Sequence, residues 1–374
     1  MKIGFDAKRF FHNNTGLGNY SRDLVRILSG HFPENEYFLY NTKPNKQRSS
    51  LLNDQNTFEK LPTSFFGKKL KSIWRMFWVK KQIQEDSIDI FHGLSGEIPI
   101  GLPKNVKSVV TIHDLIFMRY PNLYSFFDRK IHFWKFRYAA KKADYVIAIS
   151  EQTKQDIIKY LKITPEKIKV VYQGCSNVFK ENFSSEEKEF VRKKLNLPSE
   201  FVLNVGTIEE RKNALTIVKA IKDLDIKLVL VGRKTKYYEQ IEKYVQDNNM
   251  QDKIIHLKGI SQKELVIVYQ LAAVMVYPSV FEGFGIPIIE ALFSKTPVIT
   301  TNSGVFPEAG GEGSIYINPT NEKELQEKIE FLLKNTENRK FITEKGFEYA
   351  QRFIDSVIAK QLMEIYSSLC INKN

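Results

Sequence analysis

The sequence predicts an α/β protein of two consecutive doubly wound domains, and three observations carry that expectation. The chain has 374 residues, too many for one ordinary core and comfortable for two domains of about 150 to 200 residues each. Short apolar, β-branched stretches alternate with amphipathic ones, the pattern of a parallel sheet covered by helices on both faces. The alternation breaks once, between about Gln173 and Pro198, where Gly174, Asn177, the charged run from Ser184 to Lys188 and Pro198 read as a linker followed by a short helix. The expected domains are therefore 1–175, joined by a C-terminal helix at about 354–374, and 196–353.

In the first half, strands are expected at 2–5, 88–91, 108–112, 145–149 and 168–171. The helix expected from about Leu17 to Phe32 carries the apolar stripe Leu24, Val25, Ile27 and Leu28, and Ser150 caps another over 151–161. In the second half, strands are expected at 201–205, 227–231, 254–257, 273–277 and 297–300, with helices such as 214–221 and 237–248 between them. Beyond Asn321 the chain reads as helical to its end, over 322–333, 339–349 and 354–369.

Hydrophobic residues make up 43% and charged residues 26%, the balance of a soluble globular protein. There is no run of 18 or more apolar residues, and Met1 leads straight into a strand, so the sequence suggests a cytoplasmic protein without a membrane span or signal peptide. The two cysteines, Cys175 and Cys370, have no metal-ligand spacing and no disulfide framework. A net charge of +13 calls for an anionic partner. The lysines are spread along the chain and no nucleic-acid motif stands out, so an anionic membrane surface is the better candidate. Two stretches mix aromatics with cations as interfacial helices do: Phe65 to Ile83, with Lys68, Lys69, Lys71, Arg75, Lys80 and Lys81, and Phe126 to Tyr138. A helix with one face in the core and a solvated basic face fits the first stretch as well.

The stretch from Val276 to Glu290 carries the most chemistry. A buried strand ends at Pro278, Gly283 and Gly285 permit a tight turn, and a helix begins whose free N–H groups and dipole suit a phosphate or a sugar hydroxyl. Glu282 lies just before that terminus and Glu290 about two turns inside. Like charges repel beside an anion site, so the two acids fit better as acceptors for hydroxyls of one elongated ligand. The plainer alternative makes Glu282 a capping acid and Glu290 a solvated helix residue.

Three more motifs follow strand ends. Thr15 to Tyr20 holds Gly16 and Gly18 where backbone N–H groups can meet a phosphate or an acceptor, although a plain helix-start turn fits too; the third glycine of a dinucleotide fingerprint is missing. Thr111 to Leu115 holds His113 with no serine elbow or metal partner. Asn204 to Asn213 holds Gly206 and Thr207, then Arg211 and Lys212, two cations suited to a diphosphate whose charge grows as a sugar bond breaks.

Glu282 and Glu290, with seven residues between them and the Gly283-Phe284-Gly285 turn inside, resemble the E-x7-E motif of the GT4 family of retaining glycosyltransferases. The order of glycine loop, His113, Arg211-Lys212 and the glutamate pair strengthens the resemblance, which covers nearly the whole chain. It implies the GT-B fold, two Rossmann-like domains facing across a cleft, with the C-terminal helix crossing back to the first at Phe353 to Ser356. It further implies that His113 lines the donor sugar, with Asp114 as its neighbour or an acceptor contact. Arg211 and Lys212 would bind the donor diphosphate, Glu282 the sugar hydroxyls and Glu290 the ribose. Gly16, Gly18, Gly206, Thr207, Gly283, Phe284 and Gly285 would shape the donor site, and Thr207 stands where the family often has an arginine. With two cations placed for the diphosphate, no metal or other cofactor is expected. The donor is expected to be GDP-mannose or a UDP-sugar, and the acceptor a glycan or lipid-linked glycan of a surface polysaccharide. A GT-B phosphorylase, a nucleotide-sugar epimerase or a non-catalytic nucleotide-sugar-binding protein remains the alternative.

Overall fold

The computed structural model describes residues 1–52 and 55–371. The chain divides into two compact units, one of residues 1–173 with 355 onward and the other of residues 174–354.

The first unit is built on a seven-stranded sheet in the order β3-β2-β1-β4-β5-β6-β7, parallel throughout. Its strands are β1 (Lys2–Asp6), β2 (Glu36–Tyr40), β3 (Thr57–Lys60), β4 (Ile90–Gly93), β5 (Lys107–Ile112), β6 (Tyr145–Ala148) and β7 (Ile168–Val170). The apolar stripe of the Gly16–His31 helix packs in one core cluster with Ile3 and Phe5 of β1 and with Ile358, Leu362 and Tyr366 of the Asp355–Ile371 helix. The chain's last helix thus completes the core that its first strand begins.

The second unit has a six-stranded parallel sheet in the order β10-β9-β8-β11-β12-β13. These are β8 (Phe201–Val205), β9 (Lys227–Val231), β10 (Ile254–Leu257), β11 (Val274–Tyr277), β12 (Val298–Thr301) and β13 (Ser314–Ile317). The strand order reverses between β8 and β11, so the crevice where open sheets of this kind bind ligands lies beyond their carboxyl ends. Residues after Gln173 pack into this unit, where Phe179 meets Tyr269 edge-on at 5.7 Å. Capping boxes start the Ser185–Lys194 and Gln262–Leu271 helices, pairing Ser184 with Glu187 and Ser261 with Glu264.

Three strands go beyond the sequence expectation. Thr57–Lys60 and Ser314–Ile317 are edge strands whose apolar residues are interrupted by polar ones. Glu36–Tyr40 is internal and aromatic, a legible strand that the alternation alone does not single out. The stretch 65–83 is not one helix. It runs as Phe65–Lys69 and Lys71–Ile73, broken at Leu70, then as a π-helical turn over Trp74–Trp78 into Val79–Glu85. Among the described residues no helix is long and apolar enough to cross a membrane.

Candidate functional site

In the second unit the ends of β8 and β11 bring four of the motif residues into one cluster. Beyond β8 the chain turns at Gly206 and Thr207, then makes one short helical turn, Glu210–Lys212. Gly206 has φ +137°, and a Cβ there would lie 2.8 Å from the Lys212 ammonium, so the glycine leaves room for that side chain to fold back over the strand end. Beyond β11 the turn at Ser279 is stitched to the same place, since the Val280 N–H donates to the Arg211 carbonyl at 2.9 Å and Ser279 Oγ lies 3.2 Å from that carbonyl.

Four donors converge on one oxygen. Glu282 Oε1 accepts from the Tyr277 hydroxyl at 2.7 Å and from Ser279 Oγ at 3.2 Å, and pairs with Arg211 at 2.9 Å and Lys212 at 3.3 Å. Lys212 Nζ also donates to the Tyr277 hydroxyl at 2.7 Å, while Arg211 pairs with Glu209 at 2.6 Å and donates to the Phe281 carbonyl. Burial pushes the Glu282 carboxyl up, but Lys212 and Arg211 outweigh it and hold the group ionised, below its ordinary range. The same carboxylate raises the Arg211 guanidinium against its own burial. Glu282 thus holds the basic pair in place, a task that the sugar-hydroxyl role does not include.

Glu290 sits on the Ile286–Phe293 helix, which starts at Gly285 with φ +102° and has Pro287 in its first turn. Its Oε2 accepts from the Tyr269 hydroxyl at 2.9 Å. Burial raises its pKa to about 7, against the pull of Tyr269 and of the Lys212 charge. It is therefore not the solvated helix residue of the plainer reading. Gly283 lies in the turn before this helix. Phe284 is expected as part of the donor site, but its ring is buried against Phe353 at 5.6 Å, so only its backbone remains for a ligand.

In the first unit His113 follows β5 with both ring nitrogens engaged. Nε2 lies 2.9 Å from the Leu94 carbonyl, which makes it the protonated nitrogen, and Nδ1 lies 3.3 Å from the Gln173 amide nitrogen. Burial lowers its pKa to about 4, so the ring is neutral near pH 7. Tyr20 stands edge-on to it at 4.5 Å. Asp114 caps the next turn, accepting from the Ile116 N–H at 3.1 Å.

Sequence reasoning missed the layer beneath. His92 of β4 lies between the Tyr366 hydroxyl, 2.6 Å from Nδ1, and Thr111 Oγ1, 2.8 Å from Nε2; Thr111 in turn meets the Tyr20 hydroxyl at 3.1 Å. Burial, helped by nearby His113, lowers the His92 pKa to about 3. A histidine in a strand of otherwise apolar residues was the available signal. Also missed was a charged chain at the end of β1, where Arg75 pairs with Asp6 at 2.6 Å and with Glu97, and Lys135 reaches Glu97 at 3.3 Å. Asp6 and Glu97 lie 91 positions apart in sequence (97 − 6), so no local pattern announces the chain.

The glycine loop needs a correction. Gly18 is expected to offer its N–H to a ligand, but that N–H already donates to the Thr15 carbonyl at 2.9 Å and to Asn13 Oδ1 at 3.1 Å. A Cβ on Gly18 would lie 1.9 Å from the Asn13 carbonyl oxygen, so the residue is glycine for close packing. Gly16 is exposed in the first turn of its helix, and a Cβ there would meet nothing within 4 Å.

The two halves match two family models, glycosyltransferase family 4 over residues 15–176 and glycosyl transferases group 1 over residues 185–349. The chain is 32% identical over 231 residues to the O-antigen chain mannosyltransferase RfbU of Salmonella typhimurium, a stretch covering 61% of this chain and 61% of that one. It is 24% identical over 392 residues to O-antigen chain mannosyltransferase B of Escherichia coli, covering 99% of this chain and 100% of the other. Among solved structures, a sucrose-phosphate synthase from Thermosynechococcus elongatus aligns at TM-score 0.77 and 21% identity, covering 100% of both chains. A glycosyltransferase from Rickettsia africae aligns at 0.77 and 19%, covering 100% of this chain and 99% of that one. The fold is accordingly GT-B, with two Rossmann-like units. The chain belongs to the GT4-type glycosyltransferases.

Proposed function

We propose that the protein transfers a hexose from a nucleotide-diphosphate sugar to a glycan or lipid-linked acceptor in surface polysaccharide synthesis, with retention of anomeric configuration. The observation that carries this reading is the Arg211-Lys212 pair, held at the carboxyl ends of β8 and β11 by the ionised Glu282. Two cations fixed before the substrate arrives need little reorganisation when a diphosphate leaves, which is where such a site lowers a barrier. They carry the charge that a divalent ion would otherwise carry, so the reading requires no metal. Glu282 accepts from sugar hydroxyls and Glu290 from the ribose. Backbone at Gly206, Thr207, Gly283 and Gly285 shapes the turns around the donor, and His113 lines the sugar as a neutral ring.

Mannose is the preferred sugar because the relatives named above are mannosyltransferases of O-antigen chains, which makes GDP-mannose the first donor to test ahead of UDP-sugars. The acceptor's lipid carrier would place the work at the inner face of a membrane. Thermal melts across a panel of nucleotide-sugars test the donor, since a ligand at about 100 times its dissociation constant stabilises by about 2.7 kcal/mol. Proton NMR of the product tests retention. Stabilisation by GDP-mannose and a product of unchanged anomeric configuration are expected. No response to any nucleotide-sugar would overturn the reading, and turnover of donor without acceptor would move it to a phosphorylase or an epimerase.

A further inference from the structure

The first unit presents two aromatic stripes to solvent beside one loop. Over 65–78 the exposed large apolar residues are Phe65, Phe66, Leu70, Ile73, Phe77 and Trp78, while Trp74 and Val79 turn inward. On the Phe126–Lys142 helix the outward residues are Phe127, Ile131 and Trp134, spaced i, i+4, i+7, while Ala139 and Ala140 are buried in the core and Phe133 and Phe136 pack against it. On the continuous Phe126–Lys142 helix that spacing marks one side. This second helix is thus apolar on two opposite sides, only one of which the core uses. Phe66 is 66% exposed, Phe127 75% and Trp134 62%. Side chains of that size cost free energy in water and mark a surface that something covers.

The stripes are neighbours. The loop after β4 holds Glu97, which pairs with Arg75 of the first segment and Lys135 of the second. One residue earlier, Gly96 lies so close to the Phe136 ring that a Cβ would come within 2.5 Å of it, and three residues later the Ile100 N–H donates to the Met76 carbonyl at 2.7 Å. Arg75, held largely by Asp6 despite its burial, keeps its charge, and Glu97 stays ionised because Arg75 and Lys135 outweigh its burial. The two segments are clamped to the same loop.

Charge says what covers them. Phe65 to Ile83 contains six cations and no acid, and the only acid between Phe126 and Tyr138 is Asp128, which accepts from the Ser125 hydroxyl at 2.7 Å. Lys69 Nζ lies 4.6 Å from the centre of the Phe65 ring and Lys130 Nζ 4.4 Å from that of Phe126, so the ammonium groups stand among the rings. A second copy of the chain would bring cations against cations. Aromatics interleaved with lysines match the boundary of a bilayer with anionic headgroups, where rings enter the acyl edge and ammonium groups meet phosphates.

We infer that these two stripes are the surface by which the first unit docks on an anionic lipid bilayer. The inference rests on the lipid-linked acceptor reading and names the face that meets the carrier's membrane. Tryptophan supplies a native probe, because Trp78 and Trp134 are exposed on this surface and Trp74 is buried under it, and the chain has three tryptophans in all. With phosphatidylglycerol-phosphatidylethanolamine vesicles at low salt, the protein should float and its emission should shift to the blue. Brominated lipid should quench Trp78 and Trp134, so that Trp74→Phe leaves the quenching in place while a Trp78→Phe/Trp134→Phe double variant loses it. Raising salt to about 1 M, where the Debye length falls to about 3 Å, should release the protein. The variants Phe66→Ser/Phe77→Ser and Phe127→Ser/Trp134→Ser should each weaken vesicle binding roughly tenfold or more, as loss of two inserted rings implies. Melts with and without GDP verify that each variant folds and test the donor site separately, so lost flotation with intact GDP stabilisation is lost docking alone. Wild-type protein that fails to float, floats equally on phosphatidylcholine alone, or binds as well after both double substitutions would overturn the inference. A dimer in sedimentation that these substitutions abolish would overturn it in favour of a second copy as the occupant.

Discussion

At the carboxyl ends of β8 and β11 the second unit gathers full charges, whereas at the ends of β4 and β5 the first unit gathers neutral rings and hydroxyls. Arg211 and Glu282 hold each other's charge, and Lys212 pairs with the same carboxylate. His92 and His113 lose theirs through burial. One architecture therefore carries two electrostatic designs. The charged end suits a substrate part that arrives and leaves as an anion. The neutral end suits a part that must be oriented without attracting the diphosphate to the wrong place. The first unit's own buried charges, Asp6, Arg75 and Glu97, compensate one another.

The contrast is most directly broken at Lys212. Lys212→Ala should lower transfer by roughly 10² to 10³ fold, as removal of a transition-state charge contact does, measured as turnover at saturating donor. Wild-type turnover would show that the charged end is structural only. In the first unit the strongest expected effect is on folding. Gly18→Ala should destabilise by about 1 to 3 kcal/mol, because its Cβ would meet a backbone carbonyl that cannot move without the loop. Gly16→Ala should leave stability within about 1 kcal/mol of the parent. Comparing the two melts separates packing from ligand binding in that loop.

Tyr366→Phe sharpens the neutral side. It removes one hydroxyl and leaves the buried His92 Nδ1 without that partner, a cost of about 1 to 2 kcal/mol that should lower the melting temperature by a few degrees. Because both histidines are already neutral, their titration should leave activity flat between pH 6 and 8. Glu290 is the exception and the smallest effect. Its folded pKa of about 7 lies above its unfolded value, so the carboxyl's contribution to stability is fully present below the unfolded value and is lost as pH rises through about 7. Glu290→Gln, which mimics the protonated acid, should gain stability relative to the parent as pH rises from 5 to 8. It should also weaken nucleotide affinity, measured by calorimetry. A pH-independent stability difference would remove the titrating role, and unaltered affinity would remove the ribose role.

Both halves of the fold were legible because their strands are short, apolar and separated by amphipathic helices, a signal that needs no tertiary information. The edge strands Thr57–Lys60 and Ser314–Ile317 were not, because Thr57, Glu59, Lys60 and Ser314 interrupt their apolar residues. The charged site was largely legible, since Arg211, Lys212, Glu282 and Glu290 each sit in a short motif after a strand. What the motifs did not show was the wiring. Glu282 as anchor of the basic pair, His92 joined to Tyr366, and Glu97 joined to Arg75 and Lys135 all depend on residues that only the sheet order brings together. Gly18 misled for a related reason. The same residue type serves close packing and phosphate approach, and only the position of the Asn13 carbonyl separates them.

The hydrogen bond between His92 and Tyr366 joins positions 274 residues apart, with all of the second unit between them. During synthesis, residues 174–354 leave the ribosome while the first sheet still lacks the helix that seals it. The second unit can therefore mature while its companion waits, its unsealed face in need of temporary cover until the Asp355–Ile371 helix emerges.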